Sequence, residues 1–210
     1  MSNPKKDPCA CSSDCPPDDG SRRNMLTGAL SLAALAPMAA ASFNASAQAA
    51  AAPAAGTRSP KPEPGDKLAF MLGPKQGKEV LPKDIEVGKP PTLAYPMDPK
   101  SGKVLISKAS LLTVVRLKPA DLKPTSARNA AEGIVAFSSL CTHYGCPITT
   151  LHPSQTQIVC NCHGSVFDAA NRGVVTLGPA TRRLAMLPLT IKDGVLLVAA
   201  KFDGPLGPPQ

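Results

Sequence analysis

Residues 66–203 predict an all-β domain built from small strands. Short apolar or alternating runs, among them Lys67–Leu72, Leu111–Leu117, Gly133–Ser138 and Gln157–Cys160, are separated by Pro and Gly. Leu187–Ile191 and Val195–Ala199 flank Lys192-Asp193-Gly194, where Asp-Gly is a strong signal for a tight hairpin turn. Helical spacing is scarce, and Ala127–Gly133 is its one short exception.

The segments ahead of this domain differ from it in composition. The first 24 residues are polar and hold Cys9, Cys11 and Cys15, one thiol short of a four-cysteine metal site. Their Pro, Asp and Ser neighbours predict a disordered leader; recognition of the precursor by an assembly factor is the alternative. Ser21-Arg22-Arg23-Asn24-Met25-Leu26-Thr27 resembles a twin-arginine export signal, with Met where Phe is more usual. No charge occurs from Asn24 to Thr57, Met25 to Phe43 is apolar and small, and Ala45-Ser46-Ala47 offers a small-x-small cleavage site. The apolar run is near the lower limit for spanning a bilayer, is rich in Ala and contains Pro37. Cleavage after Ala47 is therefore favoured over a retained anchor. Residues 48–65 are rich in Ala and Pro, cannot build a core and predict a semi-rigid linker. The organisation expected is 1–47 leader and signal, 48–65 linker, 66–203 domain and 204–210 tail.

The 210-residue chain carries 23 Lys and Arg against 15 Asp and Glu, a net charge of +8. Residues 1–47 hold equal numbers of each sign, so their loss leaves that charge unchanged. Nucleic acid is excluded as a partner by the export signal, the near-absence of aromatic residues and the lack of a recognition motif. The lysines are spread along the chain, which predicts a solvated surface. Steering toward an acidic redox partner is the sharper alternative.

The chemistry is concentrated in two runs, Cys141-Thr142-His143-Tyr144-Gly145-Cys146 and Cys160-Asn161-Cys162-His163-Gly164-Ser165. Each pairs a Cys and a His at short spacing, as Cys-x-His and Cys-x-x-His, and each adds one further Cys. Zinc uses the same ligand types, but four Cys and two His exceed the four ligands of a structural zinc. Two ordinary disulfides would leave the histidines incidental, although two of the chain's three His fall inside these runs. Two thiolates on one iron and two imidazoles on the other make a Rieske [2Fe–2S] centre, whose potential lies well above that of an all-cysteine cluster. The remaining histidine, His152, belongs to neither run and predicts a solvated loop position.

On these two motifs the chain resembles the Rieske iron–sulfur protein family over roughly residues 66–203. The resemblance implies a Rieske-type β-sandwich base (66–138 and 181–203) with an inserted cluster-binding subdomain over about 139–180. It implies that Cys141, Cys160, His143 and His163 bind iron and that Cys146 and Cys162 form a disulfide between the two loops. Such a bridge, closing a loop of about 17 residues, is worth on the order of 3 kcal/mol. Gly178-Pro179-Ala180 matches the family's proline loop over the cluster, and Gly164 allows close backbone approach. Ser165 stands where high-potential members hydrogen-bond a bridging sulfide; Phe167 stands where they carry Tyr. The implied function is one-electron transfer without an independent catalytic site. The resemblance points first to the small subunit of exported oxidases such as arsenite oxidase, with a larger oxidoreductase subunit and a c-type cytochrome as partners. It points second to the Rieske subunit of a cytochrome bc-type complex, with quinol and cytochrome b. Rieske ferredoxins come last, since they lack the extra cysteine pair. Asn161, in place of Pro, and the absence of Trp depart from the quinol-oxidising subgroup.

Overall fold

A computed structural model describes residues 58–209. The export signal, the leader cysteines Cys9, Cys11 and Cys15, and the apolar run 25–43 lie outside the described residues. Among the described residues, no helix is long and apolar enough to cross a membrane.

Seven antiparallel strands form the base. They are β1 (Lys67–Phe70), β2 (Thr92–Met97), β3 (Leu112–Arg116), β4 (Ile134–Ser138), β9 (Met186–Leu187), β10 (Leu189–Lys192) and β11 (Val195–Val198). Their order is β10-β11-β1-β2-β3-β4-β9. Only Pro188 separates β9 from β10, yet these strands occupy opposite ends of the sheet. The sheet therefore curls until its edges meet, and the two walls of the expected sandwich belong to one nearly closed sheet. Proline suits the crossing because it has no N–H to offer either ladder.

Inserted between β4 and β9 is a second sheet, ordered β5-β6-β7-β8. It comprises β5 (Thr150–Leu151), β6 (Gln157–Cys160), β7 (Ser165–Asp168) and β8 (Val174–Leu177). Strand β4 is buried along its whole length, and the alternation of side chains assigns its residues to two cores. Ile134 and Ala136 join Leu68, Leu112, Leu187 and Leu196 inside the base. Val135 and Phe137 join Ile148, Ile158, Phe167 and Leu184 beneath the inserted sheet. Cys141 and Cys160 belong to this second core.

The hairpin forms where Asp-Gly predicts it: Lys192 pairs with Val195 around Asp193 (φ 52°) and Gly194 (φ 76°). Two local expectations move. The short helix is α1 (Pro124–Ala127) and not Ala127–Gly133. Pro124 sets the first helical turn, whereas Glu132 and Gly133 both adopt positive φ, and Gly133 accepts a strand bond from Leu117. The segment expected as linker is docked from Arg58 onward, since Arg58 donates to the buried Asp66 (2.5 Å) and to Asp98 (3.1 Å).

Candidate metal centre

Both motif runs are loops that begin at a strand's C-terminal end. The first leaves β4 through a neck in which Ile148 N–H donates to Ser139 O (2.9 Å) and Thr113 Oγ1 donates to Ile148 O (2.7 Å). Cys141 N–H then donates to Cys146 O (2.9 Å), and Gly145 N–H donates back to Cys141 O (2.8 Å). The second run is the hairpin loop joining β6 to β7, with Cys160 and Ser165 as the last register pair. Here Gly164 N–H donates to Cys160 O (3.0 Å). Gly145 (φ 72°) and Gly164 (φ 73°) both take the left-handed conformation that these turns require.

The loops converge. Cys146 and Cys162 are disulfide-bonded, with Cα atoms 6.6 Å apart. The sulfurs of Cys146, Cys160 and Cys162 lie within 4.8 Å of one another; two are spent in the disulfide, which leaves Cys160 available. Cys141 and Cys160 are both free and buried. Burial pushes the Cys160 thiol above its ordinary value and Cys141 adds to this, while the N–H groups of Cys162 and His163 pull it down. Those N–H groups would equally stabilise a metal-bound thiolate.

The imidazoles of His143 and His163 are 4.8 Å apart, centroid to centroid, and nearly perpendicular. His143 Nδ1 is buried and has no hydrogen-bond partner. A buried imidazole nitrogen left in this state is costly unless it serves as a ligand. Two thiols, two adjacent imidazoles and this orphaned nitrogen fit the donor set of a Rieske cluster.

Gly178 of the proline loop packs directly on the second run. A Cβ there would lie 2.6 Å from Ser165 Cα and 2.7 Å from Gly164 O. Ser165 is fully buried, and its Oγ accepts from Ala180 N–H (3.2 Å), which leaves the hydroxyl proton to be donated elsewhere. Phe167 is fully buried in the core beneath. His152 stays apart from the centre, in a loop with Nδ1 3.0 Å from Ser154 Oγ.

One residue, Tyr144, and one bond, that of Asn161, escaped the sequence reading. Tyr144, 72% exposed, packs edge-on against His143 (4.6 Å) and lies 5.7 Å from His163. Its place between a ligand-type His and a Gly was the available signal. Asn161 Nδ2 donates to Thr150 Oγ1 (2.6 Å), tying the second loop to β5 where the quinol-oxidising subgroup carries proline. No local pattern announced that bond.

Residues 109–188 match the family model of the Rieske [2Fe–2S] domain. The cytochrome bc1 complex Rieske iron–sulfur subunit of Streptomyces lividans is 34% identical over 161 residues, covering 70% of this chain and 94% of that protein. The corresponding subunit of Corynebacterium glutamicum is 42% identical over 102 residues, 45% of this chain, and the chain spans about a quarter of that relative's length. The crystal structure of a cyanobacterial plasma membrane Rieske protein from Synechocystis is 28% identical and covers 51% of this chain and 86% of its own, with a TM-score of 0.33. These two subunits fall in the group that the sequence reading placed second, behind the arsenite oxidase subunit. The chain belongs to the Rieske [2Fe–2S] protein family: it is an iron–sulfur electron-transfer protein whose cofactor is a Rieske [2Fe–2S] cluster.

Proposed function

We propose that Cys141 and Cys160 hold one iron of the cluster and His143 and His163 the other, and that the chain serves as the Rieske subunit of a cytochrome bc1-type complex. The buried, unpartnered His143 Nδ1 beside His163 carries the ligand assignment. When bound, the cluster supplies a centre that accepts and releases one electron. Cys141 and Cys160, inside the second core, keep water from the thiolate side. His163 is exposed and presents its imidazole to a quinol or a protein partner. Ser165, fixed by Ala180 N–H, donates toward the cluster and favours its reduced state, while Phe167 has no hydroxyl to do the same. The disulfide keeps the two ligand loops at one separation.

The bc1-type assignment is supported by the Streptomyces relative, which matches along nearly its whole length. Quinol, cytochrome b and a c-type cytochrome are the partners it implies. Asn161, bonded to Thr150, stands where the quinol-oxidising subgroup carries proline and counts against the assignment. The lack of any Trp favours a second reading, the small subunit of an exported arsenite-oxidase-like enzyme with a larger molybdenum subunit. Both readings place the domain, residues 66–203, in the periplasm after twin-arginine export. They differ over residues 25–43, kept as an anchor in the first and removed in the second.

Iron and acid-labile sulfide analysis of the purified holoprotein tests the centre: two of each, with the low-average-g resonance of a Rieske cluster, is the expected result. Stoichiometric zinc without iron would sink it. Proteins co-purifying from membranes test the assignment. Cytochrome b supports the bc1-type reading, and a molybdenum subunit overturns it.

A further inference from the structure

The C-terminal residues are more than a tail. Asp203 fixes their start: it accepts from Arg172 (2.7 Å), Arg183 Nη1 (3.0 Å) and Met186 N–H (2.8 Å). Beyond it, one nitrogen of Arg182 donates to three successive carbonyls, Leu206 (3.3 Å), Gly207 (2.6 Å) and Pro208 (2.9 Å). Three consecutive carbonyls converge on one point only if the chain turns sharply, and Gly207, at φ 66°, provides the turn.

The turned segment rests on the first ligand loop at both ends. Gly207 lies against Leu140, the residue before Cys141: a Cβ there would sit 3.7 Å from Leu140 Cδ1. Pro208 lies against Gly145, whose Cβ would sit 3.7 Å from Pro208 Cδ. Gly145 N–H is the group that closes the loop onto Cys141 O. Arg182 itself is bonded to the loop, because the buried Thr142 donates to its carbonyl (2.6 Å).

We propose that Arg182 is a positioning residue and that residues 203–208 form a strap, held by Arg182, which fixes the geometry of Cys141 and His143 around the cluster. This rests on the ligand assignment above. The second ligand loop is held by other contacts, Asn161 on Thr150 and Gly178 against Ser165, and its run 161–164 is exposed.

The test compares Arg182→Ala, Arg182→Lys and Gly207→Val in the full-length holoprotein. Gly207→Val breaks the strap without changing charge, through a β-branched residue at positive φ. Arg182→Ala and Gly207→Val should both release the cluster about tenfold faster than wild type, the equivalent of about 1.4 kcal/mol. Both should shift the resonance g-values of the reduced centre in the same direction, and Arg182→Lys should recover part of each effect. Wild-type release rates and g-values in both variants would overturn the strap. A change in Arg182→Ala alone would overturn it too, by reducing the role of Arg182 to its charge. Cys141→Ser separates this failure from failure of the ligand assignment, which falls only if that variant still gives a Rieske signal.

Discussion

The two ligand loops, 141–146 and 160–165, close on themselves in the same way and sit in different surroundings. In each, a glycine N–H four residues on bonds the carbonyl of the first cysteine, and the glycine has positive φ. The first loop is walled in: Cys141, Thr142 and Gly145 are buried, and only Tyr144 stands well out. The second is open: Asn161 through Gly164 are exposed, while Cys160 and Ser165 are anchored in strands. One backbone device thus stands in two surroundings, mostly buried in the first loop and exposed in the second. Burial, supplied by distant segments, makes the difference.

The largest effect expected treats the loops as equals. Cys141→Ser and Cys160→Ser should each abolish the cluster, measured as loss of both irons and of the resonance signal. Two irons and a Rieske signal in either variant would remove that cysteine from the ligand set. Next comes the tie between the loops. Cys146→Ser should lower thermal stability by about 3 kcal/mol, the loop-entropy value of a bridge of this span. It should also speed bleaching of the cluster, and unchanged bleaching would show that the loops hold their separation without the bond.

A smaller effect belongs to the open loop alone. Ser165→Ala should keep two irons and lower the midpoint potential by roughly 50–90 mV, since a hydrogen bond to a charged acceptor differs by about 1–2 kcal/mol between oxidation states. Phe167→Tyr should raise the potential. A serine variant within about 10 mV of wild type would remove Ser165 from the cluster's surroundings.

The smallest effect lies outside both loops. Desolvation pushes the Asp84 carboxyl up, yet the Lys75 ammonium (2.6 Å) and Leu81 N–H outweigh it and hold the group below its ordinary value. A depressed carboxylate adds stability above its unfolded value near 3.8, and that stability is lost as pH falls through the lower folded value. Asp84→Asn should therefore cost less than about 1 kcal/mol at pH 7. The gap from wild type should shrink below pH 3.8, and the g-values should stay unchanged.

The two loops were legible in the sequence because their chemistry is a matter of residue type at short spacing. The Asp193-Gly194 turn and the bounds of β6 were legible for a similar, local reason. What the sequence concealed is long-range. Strand β2 carries Pro96, which argues against a strand, but β3 pairs only with Thr92–Ala94, so the proline breaks no ladder on that side. All five residues of β4 are buried, so periodicity could not divide them between two cores. Arg182 and Gly207 lie 25 residues apart, and neither is unusual where it stands.

Closure of the base sheet has a consequence for when the domain can fold. Strand β1 pairs with β11, Lys67 opposite Leu197, so the first strand made waits for the last. During synthesis β1 has β2 on one side and an open edge on the other until the C-terminal hairpin emerges. The strap follows later still, since Asp203 and Gly207 come after β11. The domain can therefore close around a cluster only once β11 and the residues that follow it, to Gly207, have been made.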